Sequence, residues 1–303
     1  MALDEFGTVL RARRLVRTVN PTTIPVPLGA YLEEAGAVLR EQTDLGPDEP
    51  GFSFSGKGKH FICVNANDRL ERQRFTVCHE LAHIVLGLPS DHNALPWWSY
   101  AKRPLAEILC DVFAAELLLP CNLFERIVEE SSVSLATVDA LATRFLASVT
   151  ATGSRFAWIV STPCAFVLSE QGRVRYASRS KALRDANAWI PPRTDLPDGS
   201  LSERVRAGGS PPREEVDAAL WFTDWERGGV LLEEARYLAQ WDQTLTLLWF
   251  ESEEVPQIKR DAGDYRWAHE GREDAEPRRE DEEEFGLQEL DGNLRWPSKK
   301  RRG

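Results

Sequence analysis

His79, Glu80 and His83 are the residues of this chain whose types and spacing most clearly suggest chemistry. If they lie on a helix, the two histidines share one face and are about one turn apart. Both imidazoles can then reach one tetrahedral zinc ion. Glu80 would lie beside the water that such an ion activates, where it can act as a general base. The pattern His-Glu-x-x-His therefore predicts a metal centre.

The sequence around this pattern predicts a helix that begins near Asp68, in a stretch resembling a capping box, and ends at Gly87. The other residues of this helix are apolar nearly all round, which predicts that it is buried. Unpaired polar groups are costly in such surroundings, and a metal would give the histidines a partner. The alternative is that His79 and His83 are structural residues whose ring nitrogens are satisfied by carbonyl or carboxylate groups.

A catalytic zinc site requires a third protein ligand and keeps one position open for water. The best candidate is Glu107, which lies in an almost wholly apolar stretch that predicts a buried helix, where a carboxylate needs a cation. Asp111, four residues later on the same face, can accept a hydrogen bond from a ligand imidazole. Spacing alone leaves the reverse assignment open, and Glu107 could instead be a buried ion-pair residue. His60 and His92 are rival ligands.

Composition places the chain among ordinary globular proteins. Its 303 residues are 42% apolar and 28% charged, and this length predicts about two domains. The net charge of −11 argues against a chain that binds nucleic acid over its whole surface. No apolar run is long enough for a membrane span, and the first residues contain no apolar signal core. Five cysteines without a C-x-x-C pair predict reduced thiols and a cytoplasmic location.

Two sequence blocks resemble the ImmA/IrrE family of zinc metallopeptidases. The stretch RFTVCHELAH (74–83), preceded by ICVN (62–65), resembles the core of that family, and EILCDVFAAELLLP (107–120) resembles its second signature. The resemblance covers roughly residues 25–160. It implies that His79, His83 and Glu107 bind zinc and that Glu80 is the catalytic base. Asp111 is a departure, because the family more often carries asparagine there.

The resemblance also implies a biological role. Members of the family are often encoded beside a repressor with a helix-turn-helix domain. They cleave that repressor when a stress or DNA-damage signal arrives, which releases transcription of prophage, mobile-element or repair genes. No residue of the sequence identifies the substrate of this chain.

The chain as a whole is predicted to be an α+β protein with four parts. Residues 1–130 form a mainly helical, zincin-like peptidase domain with a small sheet, and residues 131–156 form a helical hairpin that resembles a helix-turn-helix. Residues 157–250 form a smaller α+β domain of unknown role. Residues 251–303 form a charged tail that is predicted to be disordered.

Further residues are candidates for roles around this site. Tyr100 lies in the loop between the two predicted metal helices, where it could donate to an oxyanion. The predicted strand 61–65 could pair with an extended substrate. If residues 134–156 dock DNA, Arg144 and Arg155 would contact phosphates, although this segment carries few basic residues.

Two classes of function follow from these observations. The leading hypothesis is a zinc-dependent endopeptidase that acts on a protein, either a helix-turn-helix repressor or another regulatory protein in a stress, prophage or mobile-element response. The alternative is a DNA- or protein-binding regulatory module with a structural or degenerate metal site. The acidic chain disfavours direct DNA binding. The presence of Glu80 disfavours a structural metal, which needs no adjacent base.

Overall fold

The computed structural model describes residues 4–89, 104–208, 212–223, 225 and 229–251. These residues form an α+β protein, which confirms the predicted fold class, and they divide into two compact units between Ile159 and Val160. Within these described ranges, no helix is long and apolar enough to cross a membrane. Tyr100, His92 and nearly all of the charged tail lie outside the described residues.

The first unit combines helices with a small sheet. Its helices are α1 (Glu5–Val19), α2 (Leu28–Glu34), α3 (Leu70–Leu86), α4 (Leu105–Leu118), α5 (Cys121–Glu129), α6 (Leu135–Phe145) and α7 (Val149–Ile159). Its strands are β1 (Ala37–Gln42), β2 (Gly51–Gly56) and β3 (Lys59–Asn65). The strand order is β1-β3-β2, with β1 parallel and β2 antiparallel to β3.

Helices α3 and α4 pack against each other in the core of this unit. From Leu109 to its end α4 is continuously buried, because its side chains there are apolar apart from two carboxylates, and Ala114 and Ala115 on it are small. Helix α3 ends as predicted at Gly87, which adopts the left-handed conformation that glycine tolerates best. Its predicted capping box is wrong, because the Asp68 carboxylate pairs with Arg72 instead of capping the helix.

The sequence predicts one helix over residues 28–41, and this prediction is wrong. Helix α2 ends at Glu34, and the chain turns at Gly36, whose φ of 64° favours glycine. Strand β1 follows at once, so residues 37–41, about a third of the predicted helix, pair with β3. The apolar residues of this stretch fit both the 3.6-residue period of a helix and the two-residue period of a strand, and the pairing with β3 selects the strand for residues 37–42.

Strand β3 occupies the centre of the three-stranded sheet. Both of its edges are paired, one with β1 and the other with β2. The prediction that residues 61–65 pair with a substrate strand is therefore wrong, because β3 has no free edge. Among the described strands of this sheet, β1 and β2 are the edges.

The second unit is built on an antiparallel sheet with the order β5-β4-β8-β7-β6. Its elements are β4 (Cys164–Glu170), β5 (Arg173–Arg179), α8 (Lys181–Asp185), α9 (Leu201–Ala207), β6 (Arg213–Asp217), β7 (Val230–Leu238) and β8 (Gln243–Trp249). The predicted hairpin between β4 and β5 is confirmed, and both Gln171 and Gly172 at its tip have positive φ. The strand predicted over 156–160 is wrong, because α7 continues to Ile159.

Candidate metal centre

Helices α3 and α4 bring the side chains of His79, His83 and Glu107 to one point. The Nε2 atoms of the two histidines are 3.2 Å apart. The Glu107 carboxylate lies 3.1 Å from Nε2 of His79 and 3.4 Å from Nε2 of His83. Ligand atoms at about 2.0–2.1 Å from a tetrahedral zinc ion lie about 3.3 Å from one another. The two imidazole nitrogens therefore have a separation that suits one zinc ion, and each lies at a similar distance from a different oxygen of Glu107.

Asp111 orients one of these donors. Its Oδ1 lies 2.8 Å from Nδ1 of His79, and its side chain is fully buried. A hydrogen bond from the Nδ1–H group to this carboxylate leaves Nε2 as the lone-pair nitrogen, which is the tautomer that a metal ligand needs. The geometry matches the predicted supporting role of Asp111 and disfavours the reverse assignment, in which Asp111 binds the metal and Glu107 does not.

The electrostatics of the cluster suit a cation. Burial alone would lower the pKa of His79, but hydrogen bonds to Asp111 and Glu107 raise it to about 10. Burial and the adjacent His79 lower the pKa of His83. The pKa of Glu107 is lowered, because the two histidines outweigh the effect of burial. Carboxylates that stabilise an imidazolium here would equally stabilise a divalent ion between the same atoms.

The carboxylate of Glu80 is buried beside this cluster, with 3% of the residue exposed. It accepts a 2.7 Å hydrogen bond from the hydroxyl of Ser53, which lies on β2. No sequence motif indicates this role for Ser53. The alternation of phenylalanine and serine predicts the strand, but no spacing rule relates a strand residue to a helix residue 27 positions later.

Cys110 is a second contender for a place in the metal centre. Its sulfur and the imidazole nitrogens of His79 and His83 all lie within 4.8 Å of one another. We favour Glu107 as the third ligand, because its two oxygens already stand at hydrogen-bond distance from both Nε2 atoms. A thiolate in addition to Glu107 would give four protein ligands, which is typical of closed structural zinc sites.

Of the other predicted site residues, His60 and Arg144 belong to the described part of the chain. His60, a rival ligand, has its Nδ1 2.8 Å from the hydroxyl of Ser55 at the sheet. Tyr100, the predicted oxyanion donor, and His92 are outside the described residues. Arg144 is exposed on α6, as a DNA contact would require.

Arg155 does not have the exposed position that its predicted role as a DNA contact requires. Its side chain is fully buried, and it donates to the Glu116 carboxylate at 2.6 Å and to the carbonyl oxygen of Leu119 at 3.1 Å. Arg13 from α1 binds the same carboxylate at 3.2 Å. Because its guanidinium is enclosed by these partners, Arg155 cannot reach a DNA phosphate. The paired arginines instead join α1, α4 and α7.

Comparison with known proteins finds relatives for the first unit of the chain. Residues 32–156 match the family model described as the IrrE N-terminal-like domain of peptidases. The radiation response metalloprotease IrrE of Deinococcus deserti is 35% identical over 103 residues, which cover 32% of this chain and 35% of that protein. IrrE of Deinococcus radiodurans is 34% identical over 107 residues, which cover 34% of this chain and 31% of that protein. The matches thus span about a third of each relative's length.

A solved structure shares the fold over a longer stretch. It is described as a Mycobacterium tuberculosis transcriptional regulator, and it superposes with a TM-score of 0.50 at 13% sequence identity. The match covers 80% of this chain and 75% of that one. At this low identity the likeness concerns the fold alone.

Proposed function

We propose that this chain is a zinc-dependent endopeptidase whose substrate is a protein, because residues 32–156 match the IrrE N-terminal-like family model and resemble two metalloproteases. One observation supports this proposal most strongly. A buried glutamate, Glu80, lies beside two imidazole nitrogens that are 3.2 Å apart, and the two oxygens of Glu107 lie 3.1 Å from one nitrogen and 3.4 Å from the other. A structural metal site needs the donors but not the adjacent base.

The residues of the chain divide the chemical work. His79, His83 and Glu107 would hold zinc, which supplies a Lewis acid that acidifies water and polarises the scissile carbonyl. Glu80 takes the proton of the attacking water and passes it to the leaving amine. Asp111 keeps the His79 ring in the binding orientation through Nδ1.

We place the substrate backbone at the outer edge of β2, the edge that faces away from β3. In the described part of the sheet, β2 pairs with β3 along one edge only, and Ser53 on β2 touches Glu80. An extended peptide that adds to this edge would place its carbonyl groups next to the base. This arrangement favours an unfolded or extended segment as the cleaved region.

The proposal also names a class of biological substrate. Family members act on helix-turn-helix repressors, and the two curated relatives are described as radiation response proteins. We extend this role to the present chain: it cleaves a helix-turn-helix repressor or another regulatory protein in a stress, prophage or mobile-element response. Since Arg155 is buried, the observed arginines offer little support for the alternative of a DNA-binding module.

The test is a search for new N-termini in a soluble extract of the source cells. The extract is incubated with the zinc-loaded chain, and newly formed N-termini are labelled and identified by mass spectrometry. We expect one or a few cleavage sites in a regulatory protein. The matched control is Glu80→Gln, which should bind zinc normally and produce none of these N-termini, because it lacks the base. Equal cleavage by this variant would refute the assignment.

A further inference from the structure

Ser53 is the residue at the candidate site that the mechanism above leaves without a role. It is part-buried on β2, and its hydroxyl donates to Oε2 of Glu80 at 2.7 Å. Such a hydrogen bond fixes a carboxylate that would otherwise rotate about its terminal torsion, which is broad for glutamate. The hydrogen bond occupies Oε2 of Glu80. The other oxygen, Oε1, is then the one that would accept a proton from water.

The fold brings β2 and α3 together with little freedom. Gly51 opens β2, and a Cβ atom placed on it would lie 2.3 Å from the carbonyl oxygen of Cys63 and 2.7 Å from Cγ2 of Thr76. Both distances are shorter than any real contact of such an atom, so only glycine permits this approach. Thr76 lies on α3, so the glycine sets how closely the strand meets the helix.

The distance from Gly51 to Ser53 along β2 is similar to the distance from Thr76 to Glu80 along α3. Ser53 follows Gly51 by two residues on the same face of the strand, a rise of about 6.6 Å. Glu80 follows Thr76 by four residues on the same face of the helix, a rise of about 6 Å. A strand whose glycine meets Thr76 therefore presents its next inward side chain to Glu80. The register of β2 with β3, which pairs Ser53 with Ile62, holds this alignment.

We infer that Ser53 is a positioning residue for the general base: it holds the carboxylate of Glu80 in the orientation that accepts the proton of the attacking water. This inference rests on the proposed peptidase function and adds a specific residue to it. In this account the hydroxyl of Ser53 acts through Glu80 alone and binds neither the metal donors nor the peptide, whose backbone pairs with the main chain of β2. A positioning residue of this kind changes the turnover step and leaves ground-state binding unchanged.

The test compares Ser53→Ala with the parent, using a fluorogenic peptide that spans a cleavage site found with the parent enzyme. We expect kcat to fall roughly 10- to 100-fold for this variant, with KM, zinc content and Tm unchanged. Ser53→Thr keeps a hydroxyl and should recover most of the lost kcat. The matched control is Ser55→Ala, which removes a hydroxyl two residues along the same strand that contacts His60 rather than Glu80, and it should retain parental kcat.

The outcomes separate this inference from the proposed function. If the parent cleaves, Glu80→Gln does not, and Ser53→Ala turns over within about twofold of the parent, the positioning role is wrong and the peptidase assignment stands. A loss in Ser53→Ala that appears in KM or in zinc content would also overturn the role, because it would show a binding or structural effect. If the zinc-loaded parent cleaves nothing, both proposals fail.

Discussion

In the proposed metal site, the carboxylate of Asp111 supports the imidazole of His79. It is fully buried and lies 2.8 Å from Nδ1 of His79, so it holds both the ring plane and the tautomer. A carboxylate behind an imidazole also makes the ligand nitrogen more basic. Asparagine, which the family more often carries here, would keep an acceptor oxygen but not the charge.

We therefore expect Asp111→Ala to weaken zinc binding by roughly 10- to 100-fold, because His79 loses the group that orients it. Asp111→Asn should lose less, since its amide oxygen can still accept from Nδ1. Titration of each variant against a competing chelator measures these affinities. Parental affinity in Asp111→Ala would show that the hydrogen bond has no part in metal binding.

Individual residues differ in how far the sequence reveals them. The spacing of His79 and His83 follows a local rule, so it identifies both donors directly. Glu107 and Asp111 stand out because a carboxylate in an apolar helix needs a cation or a hydrogen-bond donor. The contact of Ser53 with Glu80 depends on where a strand meets a helix, and no local pattern records that meeting.

At the scale of elements, the Glu116 carboxylate connects three helices of the first unit. It lies on α4, nearly fully buried, and it binds Arg13 of α1 and Arg155 of α7. Burial would raise the pKa of Glu116, but Arg155 and Arg13 lower it. The ionised form is therefore favoured in the folded state, and a buried pair of this kind is costly to break by removing one partner.

Glu116→Gln should lower the free energy of unfolding by about 3–5 kcal/mol at pH 7, because Arg155 is left buried without its counter-charge. A lowered folded-state pKa gives stability that is present above the ordinary glutamate pKa of about 4.3 and lost as the pH falls through the folded value. The gap between parent and variant should therefore narrow in acid. Urea unfolding at pH 7 and at about pH 3 measures both effects, since only the lower pH lies well below the ordinary glutamate pKa.

The control for this comparison is Glu125→Gln, which removes an exposed carboxylate on the neighbouring α5. It should leave the unfolding free energy within about 0.5 kcal/mol of the parent at both values of pH. A gap between the unfolding free energies of parent and Glu116→Gln that stays constant from pH 7 to about pH 3 would contradict the role of the charge.

Whole elements are predicted where a long apolar stretch has clear ends. The sequence identifies α3, which stops at Gly87, and α4, which stops before Pro120, for that reason. It fails at residues 28–41, where Gly36 turns a helical pattern into a strand, and at the end of α7, whose apolar residues fit either period. In both places contacts with distant elements decide the outcome.

On the scale of the whole molecule, the two units differ in how much of them can be read from the sequence. In the second unit the sequence pattern predicts the hairpin of β4 and β5 and the strand β8, whereas it does not predict α9, β6 or β7. Strand β7 illustrates the reason. Its fully buried Glu233 would be unexpected in a core strand, and only the structure shows that its carboxylate accepts hydrogen bonds from Ser202 and Trp221.

The most direct test of the central claim is the metal content of the purified, zinc-supplied chain beside Glu107→Gln and Cys110→Ala. We predict about one zinc per parent chain, a clear loss in Glu107→Gln, and parental content in Cys110→Ala, because the Glu107 oxygens stand where a third ligand is needed. A parent without tightly bound metal would contradict the peptidase account. Zinc kept by Glu107→Gln but lost from Cys110→Ala would contradict the ligand set.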